Sequence, residues 1–136
     1  MVTLGGRFVR PRPVIMVSVT GPAKTHPAEA VIDTGADDTV FPERLAVKIG
    51  LDLSNAPVGS GTTASLAHIR LRYARVTLRI SDGREHREWP AWVGFTSVRL
   101  AFPMLGFAGV LQFFDADFRG GREEVELAVN PLYPGT

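Results

Sequence analysis

The chain has 136 residues, 45% of them apolar and 21% charged, which is the composition of a single globular domain and excludes a disordered polymer. A formal net charge of +1 gives no bulk attraction toward nucleic acid or an anionic membrane, so neither is expected as a partner. Cysteine is absent, which excludes disulfides and thiolate chemistry.

In chain order, Met1 to Arg7 lacks a charged-then-apolar secretory pattern, and no apolar run nears the ~20 residues that cross a bilayer. A cytoplasmic location is the resulting expectation. Ten prolines and fourteen glycines cut the chain into short segments, which favours strands over long helices. Val14 to Val19 reads as a strand ending at the turn Gly21-Pro22. Ala28 to Ile32 is a second apolar run that stops abruptly at Asp33-Thr34-Gly35. A short helix is predicted over 42–49: Pro42 suits the first helical position, Leu45 and Ile49 share a face, and Gly50 can end it.

Residues 58–63, Val-Gly-Ser-Gly-Thr-Thr, are small and flexible by composition. Ile69, Leu71 and Tyr73 then alternate with Arg70 and Arg72, the pattern of a half-buried strand. Val76, Leu78 and Ile80 also alternate, but one residue out of phase, and a bulge near Ala74-Arg75 is predicted to reconcile the two sets. Ser81-Asp82-Gly83 is a turn, and Trp89 to Phe95 returns as a strand. Phe107, Val110, Leu111 and Phe114 recur at helical spacing, which predicts a second short helix. Gly120-Gly121 joins two alternating strands, the second through Val125, Leu127 and Val129. The expected fold class is all-β: one domain over 1–136, mostly antiparallel, with two short helices and a core of about 14–130.

Asp33 is the residue with the most chemical promise. It ends an apolar strand, so its carboxylate stands at the edge of a core, and Thr34-Gly35 lets the backbone fold around it. A lone exposed aspartate is ionised at neutral pH and is a poor general base. Two carboxylates pressed together share one proton, so that one serves as base and the other as acid.

The segment Val31-Ile32-Asp33-Thr34-Gly35-Ala36-Asp37-Asp38-Thr39-Val40 resembles the active-site segment of retropepsins, the single-lobed aspartic proteases of retroviruses and their bacterial relatives. Pro103-Met104-Leu105-Gly106 resembles the family's apolar-apolar-Gly element, which packs beneath the catalytic loop. Gly59-Ser60-Gly61 falls where the family has its glycine-rich flap tip. The resemblance implies a closed β-barrel with one lobe per chain and an aspartic endopeptidase with Asp33 as the catalytic residue. Thr34 and Gly35 would support it. Ala36, Asp37, Asp38, Gly59, Ser60, Gly61 and Thr62 would bind the peptide or protein substrate. Because Asp-Thr-Gly occurs once, the pair requires a homodimer. Many retropepsins place an Arg after the apolar-apolar-Gly element to pair with the aspartate matching Asp37. Here Phe107 follows Gly106, so Asp37 either pairs with Arg7, Arg10 or Arg12 or stays solvated.

Plainer readings exist for each signal. Asp-Thr-Gly alone is also an ordinary strand-ending turn, and the lead-in, Ala36 and Met104-Leu105-Gly106 argue against that. Asp37-Asp38 lacks the further ligands a metal needs, so no metal and no cofactor are expected. Gly59-Ser60-Gly61 lacks the Lys of a phosphate cradle. His26, His68 and His86 are scattered and read as surface positions, and Arg70, Arg72, Arg75 and Arg79 as the solvated face of strands. Trp89 and Trp92 read as packing. An alternative function on the same fold is a peptide-binding or dimerisation module with weak or no turnover.

Overall fold

The computed structural model of the chain describes residues 13–62 and 68–136. Its strands are β1 (Val14–Thr20), β2 (Thr25–Ile32), β3 (Val40–Pro42), β4 (Val58–Thr62), β5 (His68–Ser81), β6 (His86–Thr96), β7 (Met104–Leu105), β8 (Phe114–Arg119) and β9 (Glu124–Val129). One α-helix, α1 (Glu43–Ile49), and two 3₁₀ turns, Leu111–Phe113 and Gly120–Arg122, complete the described elements.

Seven strands form one sheet in the order β1-β2-β7-β3-β6-β5-β4. Ser18–Thr20 of β1 also pair with Thr77–Arg79 of β5, which closes six of the strands into a barrel. Closure removes free edges from those six strands and leaves β4 outside the ring. Most pairings are antiparallel, but β2 runs parallel to β7 and β3 parallel to β6. These parallel pairs arise because β3 and β7 are inserted between strands that are distant in sequence. β8 and β9 form a separate two-stranded sheet.

The alternation along β5 resolves differently from the sequence expectation. No bulge interrupts it: from Arg72↔Phe95 to Ser81↔His86 the register with β6 is continuous. In an unbroken strand Leu71 and Tyr73 point to one face, and Val76 and Leu78 to the other. Each face is covered in turn. Val76 and Leu78 enter the large core with Trp89, Phe41 and Phe95. Ile69 and Leu71 join Val40 in a smaller cluster under Tyr73, Leu100 and Met104. The phase change therefore marks where burial switches faces.

α1 forms where the apolar spacing predicts it. Leu45, Ala46 and Ile49 are buried, whereas Val47 is 77% exposed. Pro42 is the N-cap and Glu43 begins the helix. Gly50 ends it with φ +83°, a conformation glycine adopts at little cost, and Leu51 N–H returns to Ala46 O at 2.8 Å.

The expected second helix shrinks to the 3₁₀ turn at Leu111–Phe113. Gly109 has φ +93°, which no α-helix tolerates, and its carbonyl accepts the buried Trp89 Nε1–H at 2.8 Å. Val110 and Phe114 are buried but Phe107 is 60% exposed, so the four residues do not share one face. Trp89 packs edge-on against Phe114 with ring centroids 5.0 Å apart, while Trp92 is 58% exposed.

Candidate active site

Asp33 follows the last residue of β2, and tertiary hydrogen bonds fix its backbone. Val31 N–H donates to Pro103 O at 2.9 Å, and Asp33 N–H donates to Leu105 O at 3.0 Å, so β7 guides the chain to the point where it leaves the sheet. The turn then closes locally. Ala36 N–H donates to Asp33 O at 3.2 Å, and Gly35 N–H donates to Asp33 Oδ1 at 2.9 Å. One oxygen of the half-buried Asp33 carboxylate is thus oriented by a backbone amide, a charge-assisted contact. Thr34 and Gly35 are exposed, and Ala36 is buried beneath them.

Gly35 is not in the left-handed region among the glycines that are. A Cβ at position 35 would meet only Asp33 Oδ1, at an ordinary 3.4 Å, among the described residues. Neither backbone conformation nor the described neighbours demand glycine there.

The loop from Asp33 to Thr39 is interlocked with the segment after β7. Phe107 N–H donates to Ala36 O at 2.9 Å, and Ala108 N–H donates to Asp37 O at 2.8 Å. Thr39, wholly buried, joins the two segments through its hydroxyl, which donates to Ala108 O at 2.8 Å and accepts from Gly106 N–H at 3.2 Å. Gly106 is buried against the loop, and a Cβ there would lie 2.7 Å from Ala36 O and closer still to Asp38 O. Pro103-Met104-Leu105-Gly106 is therefore the floor under the Asp33 turn. Thr39 lay inside the motif in the sequence, yet nothing there distinguished a buried cross-link from an exposed strand residue.

Asp37 and Asp38 diverge. Asp37 is exposed, and among the described residues no ion pair involves it. Arg7, Arg10 and Arg12 lie outside the described residues. Arg119, the next basic residue after Gly106 in those described, is occupied by Asp117, Glu124 and Glu126. Asp38 is half-buried and accepts from the Tyr73 hydroxyl at 3.3 Å. Burial, and then the Asp38 charge, push the Tyr73 phenol above its ordinary pKa. Tyr73 carried no functional signal in the sequence, where it read as one more apolar position of a strand.

Gly59, Ser60 and Gly61 sit within β4, opposite Leu71, Arg70 and Ile69 of β5, so they form one arm of the hairpin and not its tip. Thr62 ends that arm opposite His68, and Thr63 lies outside the described residues. His68 to Leu71 extend past β6, whose pairing with β5 begins at Arg72, so the hairpin projects beyond the barrel. A small cleft of about 20 Å³ lies between hairpin and loop, lined by Ala36, Asp37, Asp38, Val40, Gly61, Ile69, Leu71 and Met104. A larger crevice of about 720 Å³ runs between β1, the β5–β6 turn and β9. It contains no residue of the Asp33 loop, whereas the small cleft borders that loop at Ala36, Asp37 and Asp38.

No helix among the described residues is long and apolar enough to cross a membrane. A family model described as aspartyl protease matches residues 15–98, well over half of the chain, and includes the Asp33 loop and the whole β4–β5 hairpin. No curated protein sequence matches the chain.

Proposed function

Because the chain belongs to the aspartyl protease family, we propose that it is an aspartic endopeptidase whose catalytic pair is Asp33 from each of two subunits. The observation that carries this reading is a single Asp-Thr-Gly per chain, with Asp33 half-exposed at the end of β2 and oriented by Gly35 N–H. One carboxylate cannot hold and release the shared proton by itself, so a second copy completes the site. The exposure of Thr34 and Gly35 beside Asp33 supports the same reading, since a second copy or a substrate can reach the turn.

In this mechanism the ionised member of the pair removes a proton from a water, which attacks the peptide carbonyl. The protonated member supports the developing oxyanion and then gives its proton to the leaving amine. The pair titrates as a unit, so its protons belong to neither aspartate alone. Thr34 and Gly35 hold the turn. The substrate lies as an extended strand between the Asp33 loop and Gly59 to Thr62 of the hairpin, bound by main-chain hydrogen bonds and by Ala36, Asp37 and Asp38. The domain comprises 1–136, no metal or cofactor takes part, and the protein acts in the cytoplasm.

Asp33→Asn tests the mechanism. It should lower cleavage of a mixed peptide library by at least ~10³-fold, because general acid and base catalysis are lost together. The dimer mass by sedimentation should be unchanged. Activity should peak at acidic pH, where the pair holds one proton, and should be blocked by a statine-type inhibitor. Undiminished turnover by Asp33→Asn, or turnover by a strict monomer, disposes of the mechanism. Inhibitor binding with no cleavage at any protein concentration would instead identify a peptide-binding module.

A further inference from the structure

Tyr73 lies between the two parts of the molecule that would enclose a peptide. On one side its hydroxyl donates to Asp38 Oδ2 at 3.3 Å, on the loop that begins at Asp33. On the other side its ring occupies the space that a side chain at position 59 would need. A Cβ on Gly59 would fall 2.6 Å from Tyr73 Cε2 and 3.0 Å from its hydroxyl oxygen. The Tyr73 backbone is committed as well, with its N–H donating to Pro57 O at 2.9 Å at the foot of β4. The ring also packs against Val40, Ile69 and Leu71, and those same residues line the small cleft beside Asp38.

The geometry points to Tyr73 as a positioning residue that sets the height of the β4 arm over the Asp33 loop and holds Asp38 at the rim of the cleft. Its consequence for substrate rests on the protease reading above, whereas the coupling of hairpin to loop does not. Among the described residues β4 pairs with β5 alone, and its close approach to the Tyr73 ring is the contact that spaces it from the floor. Burial and the Asp38 charge both favour the protonated phenol, so the hydroxyl remains a donor at neutral pH and below. At 3.3 Å the bond is longer than the ~2.7–2.8 Å usual for hydroxyl donors, so its loss should have a modest and local effect.

Amide hydrogen exchange on the whole chain tests the coupling without any substrate. Tyr73→Phe keeps the ring and removes the donor, and the β4 amides should exchange about three- to tenfold faster. Amides of the large core, such as Val17 and Phe95, should not change. Gly59→Ala intrudes on the ring from the opposite side and should speed the same amides. Unchanged β4 exchange in both variants overturns the proposal, and so does an equal acceleration at Val17 and Phe95, which would mean the ring contributes only global stability. In peptide cleavage, Tyr73→Phe should raise KM about three- to tenfold with kcat kept within about twofold. A fall in kcat at constant KM counts against positioning. If the wild-type protein cleaves nothing, the protease reading falls, while hydrogen exchange still decides the coupling.

Discussion

The Asp33 loop and the hairpin that faces it are held in opposite ways. From Asp33 to Thr39 the loop is bonded to Leu105, Gly106, Phe107 and Ala108, and the buried Thr39 hydroxyl has partners on both sides. The outer hairpin has less support: among the described residues His68 to Leu71 pair with β4 only, and the buried members of the cluster beneath them are Val40, Ile69 and Leu71. Buried polar groups that need partners make the floor rigid, because every alternative position leaves a donor or acceptor unsatisfied. An arm paired on one side opens at much lower local cost. The proposed mechanism, which needs two carboxylates held in place and a path for a polypeptide, would benefit from this division.

Substitutions in the floor should show the largest effects. In Gly106→Ala the new methyl meets the backbone oxygens of Ala36 and Asp38, which no rotamer can relieve. A loss of about 3 kcal/mol or more is expected in urea unfolding, with activity lost alongside. A loss below about 1 kcal/mol would show that the two segments are not interlocked in solution. Thr39→Val keeps the shape but removes both hydroxyl bonds, leaving the buried Gly106 N–H and the half-buried Ala108 C=O without them. Each orphaned group costs about 1–3 kcal/mol, so a total of about 2–4 kcal/mol is expected from the same measurement. Thr39→Ser, which retains the hydroxyl, should recover most of it. The hairpin should respond least. In Gly61→Ala the methyl meets Leu71 Cδ1 at 3.2 Å, a side-chain end and not a backbone oxygen, and stability should change by less than about 1 kcal/mol. Because Gly61 lines the cleft, the same variant should nonetheless alter KM for peptides. If Gly61→Ala destabilises the protein as much as Thr39→Val does, the contrast between floor and arm is wrong.

Several features of the fold could be read from local pattern because their causes are local. β1, β2 and α1 follow from apolar spacing and from Gly50, whose left-handed φ ends the helix where it was expected. The Asp33 turn was legible for the same reason, since carboxylate, turn and preceding strand are contiguous. β5 was misread at Ala74-Arg75 because period alone does not tell which face is covered, and a change of covered face looks the same as an inserted residue. The helix expected from Phe107 to Phe114 fails because its backbone is claimed elsewhere: Phe107 N–H goes to Ala36 O, and Gly109 O accepts from Trp89. The family resemblance put Gly59-Ser60-Gly61 at the tip of the hairpin, whereas its position in the arm reflects close approach to Tyr73 and Leu71.

The amino-acid sequence by itself determined the family resemblance, the strand-rich class and the identity of the candidate acid, because these depend on residues that are neighbours along the chain. Tertiary structure alone decided that Thr39 cross-links the floor, that Gly106 admits no side chain and that Tyr73 stands between loop and arm. Thr39 and Ala108 are 69 positions apart, and Tyr73 and Asp38 are 35 apart. Such contacts follow from how distant strands pair and which face they bury, and no local periodicity encodes either.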